Sequence, residues 1–295
     1  MRALRTKGEI VFDFLNDCFM FFILFIMLYP FVSQIALSLS SNDAVMMGKV
    51  GLWPVGFNLG AYHEVLQDKR FLKAFSNTAI FTVFGVFMQV FMVTLFAYPL
   101  SRKKLKGRNV IMNILVFSMV FGTGGLIPNY LLMKSLNLIN SFWALWLPGM
   151  INIWYMIILK NFFQQIPDSL EESAQIDGAR PTRIFFQIII PLSMPSIAAI
   201  GLFLAVGLWN TFFNALIYLS DSNKRLLQVH LNDILQAFIQ SVGPDGESRS
   251  VDPNSIARDT MKAATLMCTT IPIVCVYPFL QKYFVKGVMV GALKG

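Results

Sequence analysis

The sequence predicts an all-α polytopic membrane protein with six transmembrane helices and a helical loop on the cytoplasmic side. Three observations carry that prediction. Charge is scarce, 14% of the 295 residues, with 56% apolar, where a soluble domain carries about 25% charged residues. The scarcity is concentrated: residues 18–42, 74–101, 109–133, 135–159, 184–220 and 263–281 hold no charge at all, in runs of 25, 28, 25, 25, 37 and 19. A helix rises about 1.5 Å per residue, so roughly 20 such residues cross a hydrocarbon core of about 30 Å. Finally, the remaining charge gathers beside the apolar runs. A soluble helical core would need a polar face on each helix, and these segments largely lack one.

Span one covers about 16–39. Arg2, Arg5 and Lys7 precede it in the manner of a signal peptide. The apolar stretch is too long for one and shows no clear small-residue cleavage site, so it is expected to stay. An external stretch, about 40–72, carries the turn formers Gly48, Gly51, Pro54 and Gly56 around Trp53. Span two covers about 74–101 and span three about 109–133. The segment between them, Ser101 to Arg108, holds five basic residues and no acid. Basic residues near span ends mark the cytoplasmic side. Alternation then puts both termini inside, in agreement with Arg2, Arg5 and Lys7 at one end and Lys282, Lys286 and Lys294 at the other. The net charge of +8 is thus largely a topology signal and not a nucleic-acid footprint. Gly122, Gly124, Gly125 and Pro128 predict a kinked or broken third span that lines a cavity.

A short external link from Lys134 to Ser141 leads to span four, about 142–161. A cytoplasmic loop follows, about 162–190, then span five at 192–219. A polar external stretch, about 221–261, contains Gly243-Pro244-Asp245-Gly246, and span six covers about 262–285. The whole chain, 1–295, reads as one transmembrane domain. Cys18, Cys268 and Cys275 fall in spans and read as reduced packing residues. Cys268 and Cys275 are seven apart on one helix, a rise of about 10 Å that no disulfide spans.

The loop is the informative segment. Ser169 with Glu172 three later forms a capping-box pattern that starts a helix after Pro167. Gly178 supplies the left-handed residue that ends it. Pro181 suits the first turn of a second helix, and Pro191 is expected to break that helix before span five. Leu170, Ala174 and Asp177 share one face. Small Ala174 and Ala179 permit close approach, and Glu172 and Asp177 can pair with basic groups. Pattern alone leaves two readings open: a plug for a partner's groove, or an ordinary loop held by its own caps.

Glu172-Ser173-Ala174-Gln175-Ile176-Asp177-Gly178-Ala179, followed by Ile190-Pro191-Leu192, resembles the signature of membrane subunits of binding-protein-dependent ABC importers. Ser173 stands where alanine is usual, a small-for-small change. Gly51-Leu52-Trp53-Pro54, Ala97-Tyr98-Pro99-Leu100-Ser101, Gly124-Gly125-Leu126-Ile127-Pro128 and Trp209-Asn210 resemble the carbohydrate-importing branch. The resemblance implies a bacterial inner-membrane permease subunit that is not an enzyme. Its coupling-helix loop would dock on a separate ATPase through Glu172, Ala174, Asp177, Gly178 and Ala179. Implied partners are two ATPase subunits that bind ATP and Mg, a second related permease subunit giving a heterodimer, an extracytoplasmic solute-binding protein and the lipid bilayer. The implied cargo is an oligosaccharide, with acidic, uronate-containing pieces among the candidates and Lys134 the nearby cation for a carboxylate.

Chemistry elsewhere is sparse. No Gly-x-x-x-x-Gly-Lys-Ser/Thr loop occurs, so the chain itself is expected to bind no ATP. No metal motif occurs, and His63 and His230 read as solvated surface residues. Polar residues inside spans mark a transport path. Trp209, Asn210, Phe213, Asn214 and Tyr218 in span five are the candidates, because amides beside aromatics can bond hydroxyls and stack on sugar faces. Helix-helix hydrogen bonding is the competing reading of the same residues. A secondary carrier or channel is the alternative function. It would need intramembrane Asp, Glu or His, which the span interiors lack, and co-purification of an ATPase separates the two.

Overall fold

Apolar runs bounded by polar turns become helices throughout the computed structural model, which describes residues 7–122, 124–241 and 256–292. No strand occurs among the described residues. The turn at Gly243-Pro244-Asp245-Gly246 and the basic residues Arg2, Arg5 and Lys294 lie outside them. Four helices are long and apolar enough to cross a membrane: Gly8–Ser38, Lys69–Ser101, Pro181–Trp209 and Asp259–Val276.

The chain folds as two compact units, one of residues 1–71 with 231–271, the other of 72–230 with 272–295. In the first unit α1 (Lys7–Ser38) is a bare apolar rod. Phe12, Phe21, Phe22 and Met27 on it are 62–72% exposed, a surface suited to lipid or to another subunit and not to water. Its end is tied down by hydroxyls. Ser38 shares a 2.8 Å hydrogen bond with the Tyr62 hydroxyl, Ser40 Oγ accepts from Val55 N–H, and Asn58 N–H donates to the Leu39 carbonyl. These bonds clip the 51–58 loop between α2 (Asn42–Met46) and α3 (Gly60–Gln67) onto the rod.

The second unit is built around α4 (Lys69–Ser101). The third span is broken, as its glycines predict: α5 (Arg108–Phe121) and α6 (Leu126–Ser135) meet at 112°. Gly122, Gly124 and Gly125 at the break have φ of +70°, +77° and +88°, values that L side chains adopt only with strain.

The fourth span differs from the expected single helix over 142–161. It forms α7 (Trp143–Trp146) and α8 (Ile153–Phe163). Pro148 lacks the N–H a continuing helix needs, and Asn152 starts α8 afresh by accepting from Tyr155 N–H at 3.2 Å.

After α9 (Asp168–Ile176) and α10 (Pro181–Ile184), the expected break at Pro191 does not occur. A π-helical turn over Phe185–Ile189 runs into α11 (Ile190–Trp209), with Pro191 in the first turn of α11. The wider i→i+5 turn changes the register just where proline has no N–H to give. Span five then ends at Trp209, not 219, and α12 (Phe213–Tyr218) follows a non-helical step. The polar stretch after α12 holds α13 (Leu227–Ser241), and α14 (Ile256–Ala292) closes the described chain.

Small residues set the packing, as they do where lipid removes the hydrophobic drive between helices. At Gly85 of α4 an added Cβ would lie 2.7 Å from Trp146 Nε1 and 2.9 Å from Leu208 Cδ1. The indole ring stacks on Phe81 with centroids 5.5 Å apart, and its N–H donates to the Phe81 carbonyl at 3.3 Å. Glycine costs about 1 kcal/mol of helix propensity, whereas overpacking costs typically about 1–3 kcal/mol. Packing therefore wins for a large replacement. Gly85→Val is expected to destabilise by about 2 kcal/mol, seen as a lower Tm in detergent. An unchanged Tm would mean that α4, α7 and α11 do not meet this closely.

Candidate functional site

The loop after α8 folds as the elbow expected from Gly178, with a different start. The helix α9 begins at Asp168 with Pro167 before it, and no side chain caps its first N–H groups. Ser169 therefore lies inside the first turn, and the Ser169–Glu172 capping box does not form. Asp168 and Glu171 place carboxylates in that turn instead, where the helix dipole favours them.

The far end is closed by paired backbone bonds. Ala179 N–H donates to the Ala174 carbonyl at 2.9 Å, and Gly178 N–H donates to the Gln175 carbonyl at 3.0 Å. That is a Schellman closure around a left-handed residue, and Gly178 has φ +78°. Pro181 then starts α10 with Arg180 as its cap.

An ionic clasp holds this hairpin to the end of α4. The Arg102 guanidinium lies 3.4 Å from Asp168 Oδ1 and also pairs with Glu171 Oε1. It sits 5.2 Å from the Tyr98 ring centroid. Glu171 is buried at 8% exposure. Lys104 lies 3.7 Å from Glu172, with both side chains exposed, and such a pair is worth only about 0.2–1 kcal/mol.

Glu171 and Arg102 are the residues that the signature hides. Glu171 precedes the motif's glutamate and shares the inward face with Ala174, three residues on. A carboxylate on the same face as a small core residue, opposite a basic segment, is the signal that points to it.

Of the residues assigned to coupling, Glu172, Asp177 and Gly178 are exposed. Ala174 and Ala179 are half-buried against the core that holds Ile184 and Phe163. The exposed face of α9 carries Leu170 at 44% and Ile176 at 86%, apolar groups with room for a partner.

The span-five candidates separate. Trp209 is buried and meets Phe75 edge-on at 5.7 Å. Asn210 is exposed at the break after α11. Its Nδ2 donates to the Val206 carbonyl at 2.9 Å, and its Oδ1 accepts from Gln228 Nε2 at 3.2 Å. Phe213 and Asn214 are exposed, while Tyr218 is buried against Tyr130. Trp209 also edges a cavity of about 360 Å³ with Thr82, Val86 and Val206. Its walls are almost wholly apolar, so they suit a helix or an acyl chain better than a sugar.

Between α6 and α7 one amide gathers three donors. Asn140 Oδ1 accepts from Ser220 N–H at 2.7 Å, Ser220 Oγ at 2.8 Å and Asp221 N–H at 3.1 Å, so the 136–142 and 219–221 links are tied together. His63 is exposed as expected, but His230 is buried. It is drawn in with its neighbours Leu226, Leu227 and Val229 at the start of α13. Cys268 is half-buried, while Cys18 and Cys275 are exposed, so packing accounts for one of the three. No group of three metal-ligating side chains occurs among the described residues.

Long apolar helices, a span broken at glycines and an exposed helical elbow define an all-helical protein with membrane-length spans. The chain belongs to the family described as binding-protein-dependent transport system inner membrane component, which matches residues 10–290. It is therefore an integral inner-membrane permease subunit of an ABC importer. Its curated relatives include the polygalacturonan/rhamnogalacturonan transport system permease protein YtcP of Bacillus subtilis (strain 168). That protein is 43% identical over 97% of this chain and 99% of its own length. Protein LplC of the same organism is 41% identical over 99% and 97%. A solved bacterial ABC transporter involved in the import of the acidic polysaccharide alginate contains a chain that superposes with a TM-score of 0.85 and 32% identity, covering 96% of this chain and 99% of that one.

Proposed function

We propose that this subunit passes an acidic, uronate-containing oligosaccharide through the inner membrane. The substrate is handed over by an extracytoplasmic binding protein, and two ATPase subunits carrying ATP and Mg drive the cycle. The residues 1–295 act as one permease domain with both termini in the cytoplasm. The spans number six when α5 with α6, and α7 with α8, are each taken as one crossing. A second, related permease subunit completes the pore.

The observation that carries this reading is the α9–Gly178–α10 elbow, clasped by Arg102 yet open along Leu170, Glu172, Ile176 and Asp177. A helix closed at its elbow by backbone bonds and anchored by a buried ion pair transmits a push without bending. Glu172, Asp177 and Gly178 form the docking surface, while Ala174 and Ala179 let the helix seat on its own domain. In the path, Asn210, Phe213 and Asn214 supply an amide-aromatic lining beside the break after Trp209, with Tyr218 behind it. The substrates for which the relatives are named, polygalacturonan/rhamnogalacturonan and alginate, support an acidic cargo, and Lys134 is the cation on the outer side that would meet a carboxylate.

The test is ATPase activity of the reconstituted complex with its binding protein against a panel of oligosaccharides. Oligogalacturonates are expected to stimulate hydrolysis severalfold, and neutral maltooligosaccharides to leave it at the basal rate. Stimulation by the neutral set alone would overturn the acidic assignment.

A further inference from the structure

Arg108 and Lys160 are neighbouring cations that form no ion pair with an acid among the described residues. Arg108 opens α5, and Lys160 stands in the last turn of α8. The two helices pack together through the same core: Met112 and Leu115 of α5 rest on the cluster that contains Met156 and Leu159 of α8. A bond from Gln164 Nε2 to the Ser101 carbonyl brings the end of α8 to the 101–108 turn. Arg108 lies within electrostatic range of Lys160. Both side chains are half-buried, and Arg108 Nε is buried with no hydrogen-bond partner among the described residues.

The carboxylates of this face are engaged elsewhere or stand apart. Asp168 and Glu171 serve Arg102, and Glu172 serves Lys104. Asp177, at the elbow, forms no ion pair with either cation. Arg108 also occupies the positive end of α5, where a cation is disfavoured. Two neighbouring cations, one of them at a helix N-terminus and partly out of water, need an anion from outside the chain.

We propose that this cleft between α5 and α8 binds the phosphate of an anionic phospholipid head group from the cytoplasmic leaflet. The proposal rests on the inward orientation of the 101–108 segment given above. The inner leaflet supplies such phosphates at that depth, and basic pockets between spans on this side suit them. Arg108 offers a planar fork for two phosphate oxygens, and Lys160 adds a point charge from the neighbouring helix. The exposed apolar side chains of α5, Val110 and Ile114, provide the surface along which acyl chains lie.

The test uses the full importer complex in neutral detergent, titrated with phosphatidylglycerol and read by native mass spectrometry and by Tm. The wild type is expected to retain bound phosphatidylglycerol and to gain thermal stability from it. Arg108→Gln with Lys160→Gln should weaken that binding by about tenfold or more, on the order of the loss of two basic contacts with an anionic head group. Phosphatidylcholine binding should not change. Lys160→Gln alone should give part of the loss, and Lys106→Gln, a neighbouring exposed cation, none. Equal phosphatidylglycerol retention by the double variant would overturn the site. So would stabilisation of the wild type by inorganic phosphate to the same extent, since that assigns the cleft to a soluble anion. A separate arm checks orientation in intact cells. Labelling of Lys106→Cys by an impermeant maleimide from outside would overturn the inward placement, and protection there would support it.

Discussion

Replacing Gly178 with Asp is expected to abolish stimulation of ATP hydrolysis by substrate-loaded binding protein, while the spans stay folded. The residue sits at φ +78°, where a side chain costs about 1–2 kcal/mol. No atom lies within 4 Å of the position a Cβ would take. Within this chain the change therefore meets no steric bar, and its cost is too small to unfold a protein of this size. What it alters is the elbow's backbone closure and the surface offered to a partner, where a second carboxylate would stand beside Asp177. Gly178→Asn separates the two effects, because asparagine tolerates the left-handed region and adds no charge. It should keep most of the stimulation. Normal stimulation of a well-assembled Asp variant would exclude the elbow as the docking surface.

Loss of the Arg102 side chain should be the most destabilising single change around the α9–α10 elbow. It strands the buried Glu171 carboxylate, and removing one partner of a buried pair costs about 3–5 kcal/mol. The Arg102 side chain is itself 15% exposed, so water enters and about 3 kcal/mol is the better figure. Arg102→Ala should lower Tm and uncouple hydrolysis together. Adding Glu171→Leu should restore much of the stability, because removing both partners leaves no unpaired charge. A double-mutant cycle on Tm measures this coupling. Simple additivity of the two losses would mean that Arg102 and Glu171 act independently. The same cycle on Lys104 and Glu172, both exposed, should read within about 1 kcal/mol of zero.

The four membrane-length helices were legible because a bilayer penalises charge strongly, so long uncharged runs mark them in the sequence. The Gly178 elbow and the Gly122–Gly125 break were legible for a related reason. A left-handed backbone leaves few residue choices, and glycine announces it. Other features were hidden. The clasp of Arg102 on Glu171 joins residues far apart in the chain, and no local spacing encodes such a contact. The split of span four at Pro148 and the continuity through Pro191 turn on how neighbouring turns adjust, which a lone proline does not reveal. Burial of His230 follows from the leucines beside it, whose direction depends on where α13 begins. In span five the five candidate residues looked alike by composition. Their separation into buried Trp209 and Tyr218 and exposed Asn210, Phe213 and Asn214 arises from the step between α11 and α12.

The run from Pro181 to Trp209, 29 residues without interruption, makes a stiff lever about 40 Å long. One tip is the second arm of the Gly178 elbow. The other tip ends where the backbone leaves the helix before Phe213. Tilting such a lever by about 5° moves the far tip by roughly 3–4 Å, enough to open or shut a gap the width of a sugar hydroxyl. A modest rotation applied at the Pro181 end would thereby become a displacement of several ångströms at the Trp209 end, with no need for the helix in between to melt.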